Sequence, residues 1–259
     1  MAGYWLSGGI VTALTALLGL VLFLFPVGGG VTRLSYDLPF ALRADIPADE
    51  VAIVYLDELS HAELKQPMIA PWDRALHARL VDTLMAGGAR AVVFDILFTE
   101  ASSDAAADNR LARAIKDSGR VILAGNYLQR ETVPGALGRW EEFPFEPFAR
   151  DAAAWGNVNL LPDPDYGVRR HFPNLNDIAG QKTVLWLPWA AAQFAGAPVT
   201  RLNPPSAAVR WLNYYGPPGS LHSVSYTKVL TGEGLSPDFF KDKVVFVGSQ
   251  LSADFSGKG

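Results

Sequence analysis

Residues 87–98 read Gly87-Gly88-Ala89-Arg90-Ala91-Val92-Val93-Phe94-Asp95-Ile96-Leu97-Phe98. Two glycines close one element, and a near-continuous apolar run opens the next. So short a run, without alternation, is the pattern of a strand buried on both faces. Upstream, Leu76, Leu80, Val81 and Leu84 fall on one helical stripe, opened by Asp73 near an N-cap and closed by Gly87-Gly88. Before that helix, Val51-Ala52-Ile53-Val54-Tyr55-Leu56 repeats the buried-strand pattern. Downstream, Ala107, Leu111, Ala112 and Ile115 form a second helical stripe that ends at Gly119, and Val121-Ile122-Leu123-Ala124 is a third strand. Strand, helix, strand, helix, strand with short connections calls for right-handed crossovers and a parallel sheet.

Outward from this unit the pattern loosens. Residues 131–155 are rich in Pro, Gly and aromatics and read as an inserted excursion. Residues 157–161 and 168–172 flank Pro162-Asp163-Pro164-Asp165-Tyr166-Gly167, a run of turn formers that predicts a β-hairpin. Residues 183–195 can be helical, with Pro188 as a kink or a late start. Residues 209–214 read as a strand, 225–230 as a short helix and 243–248 as a final buried strand. The expected fold class is therefore α/β: a mostly parallel sheet with helices on both faces and an inserted β-hairpin, preceded by one transmembrane helix.

That last expectation comes from the N-terminus. No charged residue precedes Arg33, and Ile10 to Phe25 is apolar apart from two threonines and a glycine. With Tyr4 to Gly9 the segment reaches roughly twenty residues, enough to cross a bilayer's hydrocarbon core. Tyr4 and Trp5 suit the interface, and Pro26 with Gly28-Gly29-Gly30 is expected to end the helix. A cleavable signal peptide fits less well, because the positive n-region is missing and the apolar run is long. The expected organisation is an anchor over 1–30, a linker with a short helix over 31–50, and an α/β domain over 51–259. Arg33 and Arg43 flank the anchor on its C-terminal side, but a domain of this size translocates largely regardless of such charges.

Composition narrows the function classes. The chain of 259 residues is 49% hydrophobic and 19% charged, with a net charge of -4, and Lys and Arg are scattered among carboxylates. No basic stripe marks a nucleic-acid partner. Zero cysteines remove disulfides, thiolate metal sites and cysteine nucleophiles. The four histidines lack metal-ligand spacing, and no nucleophile elbow, phosphate-cradling loop or dinucleotide fingerprint occurs. Neither a cofactor nor a metal is expected.

Five residues stand out as ligand-binding candidates: Asp57, Glu58, Trp72, Arg74 and Asp95. Asp57 and Asp95 lie at or near the C-terminal ends of parallel strands, the edge where ligands of open α/β sheets gather, and Glu58 adds a third carboxylate. Such a group could bind a cation or work as an acid/base pair; equally, it caps the following helices or pairs with Arg74 and Arg90. Trp72 and Arg74 could wall a pocket for a small anionic or aromatic ligand, or anchor a loop. Around Asp163, Asp165, Arg169 and Arg170 a metal competes with cross-strand ion pairs, and the spacing fits no calcium loop.

Taken in order, a set of motifs resembles the second type of CHASE domain (cyclases/histidine kinases associated sensory extracellular). They are Leu34-Ser35-Tyr36-Asp37 with Arg43, Val54-Tyr55-Leu56-Asp57-Glu58-Leu59-Ser60, Pro71-Trp72-Asp73-Arg74 with His77, and residues 87–98. Asp108-Asn109-Arg110-Leu111-Ala112, Asn157-Val158-Asn159, Asp163-Pro164-Asp165 with Gly167 and Arg169, Asn213-Tyr214-Tyr215-Gly216-Pro217 and residues 243–248 follow. Two departures stand out: residues 65–70 replace the family's Trp-Pro-rich lead-in, and Tyr166 lengthens the Asp-Gly-Val turn by one. The resemblance implies a sensory domain outside the cytoplasmic membrane, with the lipid bilayer, an unidentified small-molecule ligand and a cyclase or kinase effector in cis as partners. It also implies further membrane helices beyond Asp254, and a homodimer is a further expected assembly. Two alternatives come from other classes: a structural or assembly domain of a membrane complex, and an exported metal-dependent hydrolase using Asp57, Glu58 and Asp95.

Overall fold

The computed structural model describes residues 2–24, 27–68, 71–133, 136–176, 183–201 and 209–250. Two compact units result, residues 1–46 and 47–259. In the first, α1 (Ala2–Leu24) is followed by α2 (Val27–Leu42). From Gly9 to Leu24 the residues of α1 are exposed and mostly apolar. The single transmembrane helix expected over 1–30 is not found. No single helix among the described residues is long and apolar enough to cross a membrane, although Gly9–Leu24 and Gly29–Leu42 pass that test together as a pair bent by 84°. Gly28, Gly29 and Gly30 do not end a helix but lie in the first turn of α2, where the missing side chains cost propensity without clashing. Further along α2, the Tyr36 and Phe40 rings meet at 5.0 Å, and the Arg43 guanidinium lies 4.4 Å over Phe40. These contacts one turn apart hold the end of α2 despite Pro39.

The second unit is built on β1 (Val51–Leu56), β2 (Ala91–Leu97), β3 (Val121–Val133), β4 (Ala136–Glu142), β5 (Ala154–Asn157), β6 (Arg170–His171), β7 (Asn174–Asn176), β8 (Thr183–Leu185), β9 (Arg210–Trp211), β10 (Ser223–Ser225) and β11 (Val244–Ser249). Its helices are α3 (Glu58–Glu63), α4 (Arg74–Ala86), α5 (Ala105–Ser118), α6 (Glu146–Asp151), α7 (Leu187–Phe194) and α8 (Tyr226–Thr231). Strands β10, β1, β11, β2, β3 and β5 lie side by side in that order, each parallel to its neighbour. The last part of β3 runs on and pairs antiparallel with β4, so the excursion after residue 131 is a hairpin.

Right-handed crossovers explain the layers. Moves from β1 to β2, β3 and β5, and from β10 to β11, all run in one direction and place their helices on one face. There Leu80, Val81 and Leu84 of α4, Leu111 and Ile115 of α5, Phe148 of α6 and Val229 of α8 pack on Val54, Val92, Phe94, Leu123 and Val247. The return from β5 to β10 carries α7 to the other face, where Leu187, Ala190 and Ala191 meet Ala91, Val93, Ile122 and Ala124. At Gly156 of β5 a Cβ would lie 2.5 Å from the Leu187 backbone, so only glycine allows this approach. Gly119 ends α5 in the left-handed conformation, φ 57°.

One local expectation is corrected, and the choice left open at Pro188 is decided. Residues 157–161 and 168–172 do not pair as a hairpin. Asn157 is spent on β3, and Arg170 and His171 pair with Trp211 and Arg210. What closes the loop is the turn itself, Asp163 N–H to Gly167 O at 2.9 Å, tied by arginines. Pro188 is a late start: β8 occupies 183–185, and α7 begins at Leu187, where a proline in the first turn sacrifices no helical bond.

Candidate functional site

Three adjacent strands end together at the carboxyl edge of the sheet: β1 at Leu56, β11 at Ser249 and β2 at Ile96 and Leu97. The chain passes from β1 to β2 without filling the slot between them, which β11 occupies later, so strand order breaks here. Open α/β sheets bind ligands outside the carboxyl ends of their strands. A cleft of about 330 Å³ lies there, walled by Leu56, Leu97, Phe98, Trp72, Arg74 and His77.

Asp73 caps α4 by accepting from Ala75 N–H at 2.8 Å, which places Trp72 just before the helix and Arg74 and His77 on its first two turns. Trp72 is buried, and its indole N–H donates to Pro67 O at 3.2 Å. Its ring meets His61 edge-on at 4.7 Å and Tyr226 at 5.1 Å, and lies within 19° of parallel to His77 at 6.3 Å. Arg74 donates through Nη1 to Asp108 Oδ1 at 2.7 Å and through Nη2 to Glu100 O, with its guanidinium 5.1 Å above Phe148. Asp108 also accepts from Ser102 N–H and Oγ–H. Burial works to raise its pKa, but the hydrogen bonds from Ser102 and Arg74 and the arginine's charge outweigh this and hold the carboxyl below the usual range. Arg74 is thus a charge already matched, tying α4, α5 and the loop after β2.

The other candidates divide. Asp57 caps α3: its Oδ1 accepts from Ser60 N–H at 2.9 Å, Ser60 Oγ–H at 2.6 Å and Ser225 Oγ–H at 2.8 Å. Glu58 follows it, exposed in the first turn of α3, where a negative charge suits the helix dipole. Asp95 lies on the opposite face of the sheet, on the side of Val93, in the space that Gly248 leaves beside it. The residue is exposed, yet desolvation pushes its carboxyl above the usual range. None of the three carboxylates lines the cleft. Asp57 and Asp95 therefore do not converge, and no group of three or more metal-ligating side chains occurs among the described residues.

Around the 163–167 turn the charges close on themselves. Arg169 bonds Asp163 at 3.1 Å and grips Asp165 through both nitrogens at 2.8 and 3.0 Å, while Arg170 reaches the second oxygen of Asp163. For Asp163 burial again works upward, and the hydrogen bonds and charges of Arg169 and Arg170 win, lowering its pKa. Tyr166 takes φ 63°, the left-handed conformation that the glycine of a shorter turn would adopt without strain. Arginines fill the places that a cation would need.

Sequence reasoning passed over His77, His61, Asp108 and Tyr226. His77 is 1% exposed, and its Nδ1 lies 3.0 Å from the Tyr226 hydroxyl. Desolvation, aided by the Arg74 charge, lowers its pKa to about 3, so the ring is neutral at physiological pH. A histidine sharing the buried side of α4 with Leu80, Val81 and Leu84 was the available signal.

Neither a curated protein nor a solved structure matches the chain. The family model described as the CHASE2 domain matches residues 12–255, nearly the whole length. With the ordered motifs and the sheet they build, this match shows that the chain belongs to the CHASE2 domain family, the sensory extracellular domains of membrane receptors.

Proposed function

We propose that this chain is the extracytoplasmic input module of a receptor in the cytoplasmic membrane, and that its signal acts at the sheet-edge cleft to regulate a cytoplasmic nucleotide cyclase or kinase. The observation that carries the reading is the cleft where β1, β11 and β2 end, with α4 forming one wall and Arg74 linking α4 to α5. A molecule bound there touches Trp72, Arg74 and His77 at the start of α4, and so bears on the packing of the whole helical face. Favouring one of two arrangements in this way needs only a difference in affinity between them. Membership of a sensory family and the exposed, mostly apolar residues of α1 support a place beside the membrane.

The test uses the full-length receptor in membranes. Deleting residues 47–250 is expected to abolish every signal-dependent change in effector output while leaving the basal rate measurable. Trp72→Ala is expected to blunt the response. An alkaline phosphatase fused after residue 250 is expected to be active. Unchanged regulation after the deletion, or an inactive fusion, overturns the reading.

A further inference from the structure

We propose that the sheet-edge cleft takes a small uncharged molecule with one flat ring and an oxygen acceptor, held by a hydrogen bond from His77 Nε2–H. This rests on the cleft of the proposed function and adds the chemistry of its ligand.

The proton can be placed from the hydrogen bonds. Tyr226 is fully buried, and burial raises its pKa well above the ordinary phenol value, so the hydroxyl keeps its hydrogen. Among the described residues, that hydroxyl has one hydrogen-bond contact, His77 Nδ1 at 3.0 Å. If Nδ1 carried the ring hydrogen, the phenolic hydrogen would be buried without an acceptor, which folded proteins avoid. The hydroxyl therefore donates and Nδ1 accepts. A neutral imidazole with a bare Nδ1 has its hydrogen on Nε2.

That Nε2–H has no hydrogen-bond partner among the described residues, nor is it one of the fully enclosed polar atoms left unpaired. His77 is among the residues that line the cleft, and in the proposed site this donor is directed toward it. A side chain otherwise wholly buried thus keeps one hydrogen bond to give.

The rest of the wall sets the ligand's charge and shape. Arg74 faces the cleft with its charge balanced by Asp108 at 2.7 Å, and Glu100 at the rim is exposed. A carboxylate would find no unmatched cation and would meet Glu100. A ligand cation would find only Glu100 to pair with, an exposed carboxylate that water already serves, and at His77 it would meet a donor and no acceptor. Uncharged molecules incur neither penalty. Trp72 brings an aromatic ring to the wall, and about 330 Å³ is at the small end of ligand cavities, room for a single ring and its substituent.

Benzamide, benzoate and benzamidinium share a ring and differ in charge, which makes them suitable probes. The full chain, labelled with ¹⁵N-histidine and held in lipid nanodiscs, presents four imidazoles to long-range ¹H–¹⁵N spectra. His77, assigned through His77→Gln, is expected in the Nε2–H form at pH 7. Benzamide is expected to shift its Nε2 signal, and the two ions to leave it unmoved at the same concentration. Tyr226→Phe, which keeps the ring and frees Nδ1, is expected to yield a tautomer mixture and to weaken benzamide binding about twofold, by the share of rings that leave the Nε2–H form. If His77→Gln does not fold, the signal that Tyr226→Phe perturbs makes the assignment. A hydrogen found on Nδ1, no benzamide-dependent shift at His77, or equal binding of either ion overturns the proposal. Loss of regulation in the intact receptor is read separately. If deletion leaves effector output unchanged while benzamide still binds, the sensing role fails and the site stands.

Discussion

Two parts of this domain bury arginine against aspartate, and they end differently. Around residues 163–170, two arginines meet two carboxylates and the bonds close the loop on itself. At the sheet edge, Arg74 and Asp108 match each other just as well, but their pairing forms the wall of a cavity, and beside it a histidine keeps one donor unspent. Charge alone does not separate a site from a staple. The separation comes from leftover hydrogen-bonding capacity and leftover volume in one place.

The largest expected effect tests whether the two ion pairs carry equal structural weight. Arg74→Ala leaves Asp108 buried without its cation and is expected to cost about 3–5 kcal/mol, read from the denaturant midpoint. Arg169→Ala leaves Asp163 with Arg170, and a smaller midpoint shift is expected. A shift at Arg169 as large as that at Arg74 would break the contrast.

Acid sharpens the comparison next. An unfolded imidazole takes up its proton below about pH 6.5, whereas folded His77 does so only near pH 3. The folded pKa is depressed, so the unfolded state binds more protons between those values, and stability falls as pH drops through that window. From pH 7 to pH 5 the loss is about 2 kcal/mol, and His77→Gln is expected to remove it. The lowered carboxyl pKa values of Asp108 and Asp163 act later: their stabilisation is present above the unfolded value of about 3.9 and is lost below it. Urea midpoints measured from pH 7 down to about pH 2 separate the two windows.

Among the sequence candidates outside the cleft the expected effects are smaller. Asp57→Ala removes an N-cap with three hydrogen bonds and is expected to cost about 1 kcal/mol by thermal unfolding. Glu58→Ala, on the exposed first turn, should stay within about 0.5 kcal/mol. Asp95→Asn removes a charge that desolvation already disfavours, so the melting temperature is expected to hold or rise slightly.

Much of this layout is legible in the chain because buried parallel strands write themselves as apolar runs. Residues 51–56, 91–97, 121–124 and 244–248 all lie in the central sheet, and Asp73, Gly87 and Gly119 bound their helices. Trp72 and Arg74 reach the cleft because they adjoin that same cap. Other features depend on contacts far apart in sequence. Nothing near residues 168–172 announces that Arg170 and His171 pair with 210–211, nor does a turn signal forbid the hairpin that fails to form. Asp95 falls on the wrong face for the cleft because a run without alternation hides which side each residue takes. The helical stripe marks His77 as buried, but its partner Tyr226, far along the chain, is visible only in the fold.

The central position of β11 has a consequence for assembly. Until residues 244–249 are synthesised, β1 and β2 each present an open edge toward an empty slot, and neither can complete its ladder. The nascent domain must keep two sticky margins apart through most of its translation. A ribosome stalled before Val244 should therefore expose a chain that chaperones hold and proteases cut.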